Sequence, residues 1–74
     1  MAGNAPVDPF LGLTVSVQVV HPFQANKVYL CPACNNTIEI GVGHVVVVPD
    51  EAADLRRHWH RSCWDRRDRI VRKR

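Results

Sequence analysis

Residues 57–64 read Arg57-His58-Trp59-His60-Arg61-Ser62-Cys63-Trp64 and gather two of the four histidines, one of the three cysteines and both tryptophans of the chain. The other two cysteines stand upstream, as Cys31-Pro32-Ala33-Cys34. Zinc takes four ligands at tetrahedral corners, and a short chain supplies them most simply as two pairs, each with two intervening residues so that one turn aims both side chains at the ion. Cys31 and Cys34 form one such pair; His60 and Cys63 form the other, with 25 residues between the pairs. A hairpin fits inside that interval. The spacing therefore predicts one structural Zn²⁺ on Cys31, Cys34, His60 and Cys63, with three thiolates and a neutral imidazole giving a formal charge of −1. Arg57 and Arg61 stand near enough in sequence to offset that charge. His58 competes with His60 for the imidazole position, but four residues rather than two separate it from Cys63.

Chain length makes such a staple expected. Seventy-four residues form one domain at most and bury little apolar surface, and chains of this size usually add a metal, a disulfide or a partner. Hydrophobic residues at 46% and charged residues at 23% are a folded composition rather than a disordered one. The opening MAGNAPVDPF has no basic start or long apolar block, and Leu11 to Val20 is interrupted by Thr14, Ser16 and Gln18, which argues against a signal peptide or membrane span. A cytoplasmic, reducing setting is the resulting expectation, and there a Cys-x-x-Cys pair is a metal or redox site more often than a disulfide. The redox alternative calls for a thioredoxin-like βαβ unit, which the pattern lacks. Without a metal, the three cysteines would be small buried hydrophobes and His60 a surface residue.

Residues 1–9 read as a flexible lead-in, and 10–74 as a single zinc-binding domain. Leu11, Leu13, Val15, Val17 and Val19 alternate with polar or small residues, the mark of a half-buried strand that Pro22 ends. Lys27 to Leu30 is a second short extended piece. Asn35-Asn36 reads as a turn, and Thr37–Ile40 and His44–Val48 as two strands of a hairpin reversed at Gly41-Val42-Gly43. Residues 50–57 suit a helical turn or loop. A basic helix is expected over 61–74, with Ser62 as N-cap and Cys63, Trp64, Ile70 and Val71 on one face.

The order of knuckle, hairpin and ligand-bearing helix resembles treble-clef zinc fingers. CPACNNTIEIGVGHVVVV followed by RHWHRSCW is similar to the LIM-type and poly(ADP-ribose) polymerase-type patterns over Tyr29 to Trp64. That resemblance implies a small α+β treble-clef fold with an extra N-terminal strand, the four ligands already named, and Ile38, Gly41 and Trp59 as scaffold positions. The chain is also similar to small uncharacterised actinobacterial zinc-finger proteins. Gly43 to Pro49 resembles the histidine-bearing strand of HNH nucleases, which would make His44 a general base. No acidic residue immediately precedes His44, and no Asn or His follows Cys63 to hold a catalytic metal, so a degenerate nuclease is the minor alternative and a non-enzyme the expectation.

Charge is lopsided. The net is +3, yet residues 55–74 carry nine cations against Asp65 and Asp68, a balance of +7, while residues 1–54 set Lys27 against five acids for −4. A helix C-terminus favours cations through its dipole, but Arg66, Arg67, Arg69, Arg72, Lys73 and Arg74 exceed that need. Arginine pairs bidentately with phosphate, so nucleic acid is the expected partner, RNA or DNA, for instance within a ribonucleoprotein. A protein-interaction module using the Leu11–Val19 strand or the hairpin edge is the alternative. Neither GxxxxGKS/T nor GxGxxG occurs, and no small-molecule substrate is expected.

Overall fold

The computed structural model describes residues 6–67 and residue 69. Strands β1 (Val7–Asp8), β2 (Leu13–Val20), β5 (His44–Pro49) and β6 (Arg57–Trp59) form an antiparallel sheet in the order β1-β2-β5-β6. Strands β3 (Tyr29–Leu30) and β4 (Thr37–Ile38) form a separate two-stranded ladder, and one short helix, α1 (Arg61–Asp65), follows β6. Single 3₁₀ turns lie at Pro22–Gln24 and Ala53–Leu55. The result is a sheet-dominated mixed fold. Among the described residues no helix is long and apolar enough to cross a membrane.

Register explains which side chains enter the core. Val17 faces Val47, Val19 faces Val45, and Val45 in turn faces Trp59, so one side of the sheet carries Val15, Val17, Val45, Val47 and Trp59. Cys31, Ile38, Cys63 and Trp64 complete that cluster from the ladder and the helix. Trp59 is fully buried at its centre. Its ring stacks on Phe10 at 5.6 Å between centroids and meets the Trp64 ring edge-on at 5.0 Å, the two geometries that aromatic quadrupoles favour.

The expected alternation in the first long strand holds its phase but not its length. Val15 is buried and Val17 half-buried, whereas Leu11 sits in a turn and Leu13 and Val19 stay exposed. Asp8 is the reason. Its Oδ1 accepts the backbone N–H groups of Phe10 and Leu11 at 2.8 and 3.1 Å, and Gly12 at φ +71° completes the reversal that a side-chain-bearing residue would resist. The lead-in expected over 1–9 is thus structured from Val7, and Asp8 is a buried carboxylate facing Arg57 Nη2 at 3.6 Å.

The expected hairpin of Thr37–Ile40 with His44–Val48 does not form. β4 pairs with β3, and β5 lies between β2 and β6. His44, Val45, Val46 and Val47 are all buried, so β5 is apolar on both sides and occupies the middle of the sheet, where each edge needs a partner. Strand β6, which begins at the end of the 50–57 stretch expected to be a helical turn or loop, is the second of those partners. The helix begins at Arg61 as expected, but its N-cap is His60, at φ −62° and ψ 142°, and Ser62 lies in its first turn. Residues 68 and 70–74, including Ile70, Val71, Arg72, Lys73 and Arg74, lie outside the described residues.

Replacing Asp8 tests the turn. Asp8→Ala removes an acceptor from two backbone N–H groups and leaves the Arg57 guanidinium without its counter-charge, a loss of about 2–4 kcal/mol. Asp8→Asn keeps the Oδ1 acceptor and should cost roughly half as much. Urea unfolding of the metal-loaded protein measures both; equal stability of wild type and Asp8→Ala would contradict the assignment.

Candidate metal centre

The ladder β3–β4 encloses the first cysteine pair. Asn36 O accepts the Cys31 N–H at 3.1 Å and Cys31 O accepts the Asn35 N–H at 2.9 Å, closing a tight turn with Asn35 at φ +62°. Asparagine is one of the few side-chain-bearing residues that tolerates this region, as the Asn35-Asn36 dipeptide suggests. The second pair sits where β6 passes into α1. Trp64 N–H donates to His60 O at 3.0 Å, and this first helical turn brings His60 and Cys63 to the same side.

The two pairs converge. One donor atom from each of Cys31, Cys34, His60 and Cys63 lies within 4.8 Å of every other. His60 presents Nδ1, at 3.3 Å from Cys34 Sγ and 3.9 Å from Cys63 Sγ. Tetrahedral ligands at zinc bond lengths are separated by about 3.5–3.8 Å, a spacing that lies between the shortest and longest of these separations. These four residues are positioned to bind a metal ion.

Local electrostatics separate the thiols. Burial raises the Cys31 pKa, but backbone N–H groups of His60, Cys34 and Ala33 stabilise its thiolate and bring it down to about 7. Cys63 has no such help: burial, with Cys34 and Cys31 beside it, pushes its thiol up to about 12. A cation among the sulfurs reverses that penalty, because a thiol that coordinates a metal ion releases its proton to solvent and binds as the thiolate.

His58 is not a member of this group. It sits on the opposite side of β6, stacked on Tyr29 at 3.5 Å between centroids, with Nδ1 at 2.8 Å from His44 Nε2. Burial, then the neighbouring His44 and Arg56, depress its pKa to about 4. His44 is itself buried, and its Nδ1 lies 2.9 Å from Val42 O. With both ring nitrogens engaged and no exposure, His44 cannot reach a substrate as the general base that the nuclease resemblance implies. Alternation along β6, with Trp59 inward and His58 outward, is the signal that would have located this histidine pair, but it is readable only once β6 is recognised as a strand.

The arginines divide. Arg57 does not offset the metal site, since its guanidinium faces Asp8 and lies 5.8 Å from the Phe10 ring. Arg67 covers the Trp64 ring at 4.2 Å and donates from Nη1 to Trp64 O at 2.9 Å, so it packs against the core by a cation–π contact. Arg66 donates its backbone N–H to Ser62 O and Cys63 O at the end of α1, and Arg69 is exposed.

Comparison with known proteins adds a family. The model of the Rv1322 family protein matches residues 11–65. The chain belongs to the Rv1322 family. Its relatives include the uncharacterized proteins Rv1322 and MT1363.1 of Mycobacterium tuberculosis and Mb1356 of Mycobacterium bovis, each 42% identical over 60 residues. The alignment takes in 76% of this chain and 61% of each relative, so the chain spans about three fifths of the length of the curated relatives it matches. No solved structure matches. All four donor residues of this Rv1322-family chain fall inside the matched segment, and Arg66 to Arg74 fall beyond it. The likeness to LIM-type and poly(ADP-ribose) polymerase-type fingers rests on the ligand pattern.

Metal analysis distinguishes the two histidines. Cys31→Ser, Cys63→Ser and His60→Ala should lose bound metal and cooperative unfolding, whereas His58→Ala should keep its metal; retention by His60→Ala would move the ligand assignment. Because Cys63 must lose a proton on binding, apparent zinc affinity should rise by about tenfold or more per pH unit between roughly pH 6 and pH 8. Competition with a chromophoric chelator reads this slope, and a flat profile would show that the thiols are not ligands.

Proposed function

We propose that this chain is a treble-clef module in which one structural Zn²⁺ joins the β3–β4 knuckle to the start of α1, and that it binds nucleic acid through phosphate contacts. The convergence of three sulfurs and one imidazole nitrogen carries the metal reading. Three thiolates favour a soft or borderline ion, and a Cys₃His set of four protein ligands leaves no coordination position for water, which makes the metal a staple and not a catalyst. Knuckle, β5–β6 hairpin and helix follow one another in treble-clef order, with β1 and β2 as additions on the other side of β5.

The nucleic-acid reading rests on charge. The balance of +7 over residues 55–74 follows a body of −4, and Arg66, Arg69 and, outside the described residues, Arg72, Lys73 and Arg74 supply the proposed contacts. Arg67, held on Trp64, would contribute field rather than a free fork. Phosphate binding of this kind releases counterions and depends steeply on salt, with little sequence preference. A protein-interaction module is the second reading, favoured by the exposed apolar side chains Phe23, Leu30 and Ile40.

Anisotropy titration of labelled RNA and DNA separates the two. Five or so phosphate contacts predict affinity falling by roughly 10²–10³-fold between 50 and 200 mM salt. Removing residues 66–74 should abolish this binding without loss of zinc. Binding that survives the truncation unchanged would refute the role of these arginines, and a zinc-loaded protein that binds neither polymer would leave the protein-partner reading.

A further inference from the structure

Strand β2 is covered fully on one edge only. Strand β5 runs beside it from Val15 to Val20, whereas β1 on the other side reaches only Leu13 and Thr14. Two hydrogen bonds fix which way the backbone faces. Thr14 O accepts the Asp50 N–H at 3.0 Å, on the β5 side, and the Val15 N–H donates to Pro6 O at 2.9 Å, on the β1 side. Alternate residues of an antiparallel strand aim their backbone groups at the same edge, so Val15, Val17 and Val19 present N–H and C=O away from β5. Pro6 ends the coverage, because it has no N–H to return to Val15 O. Among the described residues, the N–H and C=O groups of Val17 and Val19 have no partner within the chain.

Sheet proteins blunt an open edge of this kind with a charge, a proline or a bulge. Ser16-Val17-Gln18-Val19-Val20 has none of these, since every residue is uncharged and the register with β5 runs through it unbroken. Val19 stays 49% exposed although it lies on the same face as the buried Val15. An acidic or basic partner finds no counter-charge here. The edge is complementary to another neutral strand, and its own sequence is one. Twofold symmetry then selects a register. Setting Val17 against Val19 of a second copy, and Val19 against its Val17, pairs every free N–H and C=O of both residues. An axis at Val17 would set Val19 against Val15, which Pro6 already occupies, and an axis at Val19 would set Val17 against His21, beyond the end of β2.

We propose that two copies of this chain associate through the open edge of β2, antiparallel and about a twofold axis at Gln18, so that β5 and β2 of both copies join one continuous sheet. Gln18 then meets Gln18 of the second copy, and the N–H of one amide donates to the carbonyl of the other. Val17 and Val19 meet on the opposite face and cover the apolar surface that Val19 leaves open in the single chain. The same patch serves both copies and its free backbone groups are used up, so the contact closes at a dimer. A five-residue edge buries less than about 1,200 Å² in total, the range of weak and reversible complexes, which sets the dissociation constant at roughly 10–100 µM. Neither the metal donors nor residues 66–74 take part.

Sedimentation equilibrium of the zinc-loaded full chain between ~5 µM and ~1 mM, with ¹H–¹⁵N NMR over the same range, tests the contact. A monomer–dimer equilibrium is expected, in which the Val17 and Val19 amides shift and gain protection from hydrogen exchange as concentration rises. Gln18→Lys, at an exposed position, sets like charges against each other at the axis and should weaken the dimer about fivefold or more, with zinc content and unfolding midpoint unchanged. Mixing Gln18→Lys with Gln18→Glu chains should restore association, which requires Gln18 to face itself. Val19→Pro deletes an N–H that no described residue accepts and removes two of the hydrogen bonds across the axis, a loss of about tenfold or more in affinity. A chain that stays monomeric at ~1 mM would overturn the proposal. Val17 and Val19 amides protected in that monomer would identify residues 1–5 of the same chain as the occupant instead. A dimer indifferent to both Gln18→Lys and Val19→Pro would equally overturn it, since the contact would then lie elsewhere. The chain lacking residues 66–74 should dimerise unchanged, so this proposal and the basic-tail reading fail separately.

Discussion

Three sulfurs and an imidazole nitrogen within 4.8 Å of one another are a poor arrangement for free side chains. The thiol of Cys63 is pushed up to about 12 there by burial and by its sulfur neighbours, while backbone N–H groups draw Cys31 the other way, to about 7. Groups so opposed come to rest together when a cation satisfies them all. The four donors join the knuckle to the start of α1, and beyond them the two segments share a small cluster of apolar contacts. In so short a chain, that cluster alone is a thin basis for a unique fold.

Trp59 transmits the constraint to the sheet. It immediately precedes the ligand His60, pairs with Val45 in β5 and packs between Phe10 and Trp64. Anchoring His60 therefore fixes the end of β6, and β6 in turn fixes β5, the strand that is buried on both sides. The N-terminal segment closes over the same tryptophan through Phe10, and the Asp8 turn sets the direction of that closure. The donor set, one aromatic cluster and one buried carboxylate thus form a continuous chain of contacts from Asp8 to Cys63.

The legible part of this architecture is the part specified by local chemistry. Two pairs at x-x spacing identify four donors because a tetrahedral ion requires neighbours that a turn can supply, and that rule needs no knowledge of pairing partners. The choice of His60 over His58 follows from the same spacing. Strand pairing was less legible. Gly41-Val42-Gly43 has the composition of a hairpin turn, yet whether β4 turns back onto β5 or onto β3 depends on which partner satisfies the knuckle, a non-local matter. Strand β6 is three residues long and carries no alternation long enough to read, so His58 and His44 could not be placed together. Asp8 was hidden in a loose composition of Pro, Asn and Gly, because a side chain bonded to its own turn leaves no periodic trace.

Strand β6 shows how little chain can serve several ends. Its side chains alternate, so Arg57 and Trp59 share the face that meets Asp8 and Phe10, while His58 alone turns to Tyr29 and His44. The next residue, His60, leaves the sheet and begins the helix that carries Cys63. A shift of register by one residue would place His58 in the apolar core and Trp59 among the histidines, since the period of a strand is two. It would also draw His60 away from the three sulfurs. Register at β6 is therefore held from both ends, by the aromatic cluster behind Trp59 and by the donor set at His60.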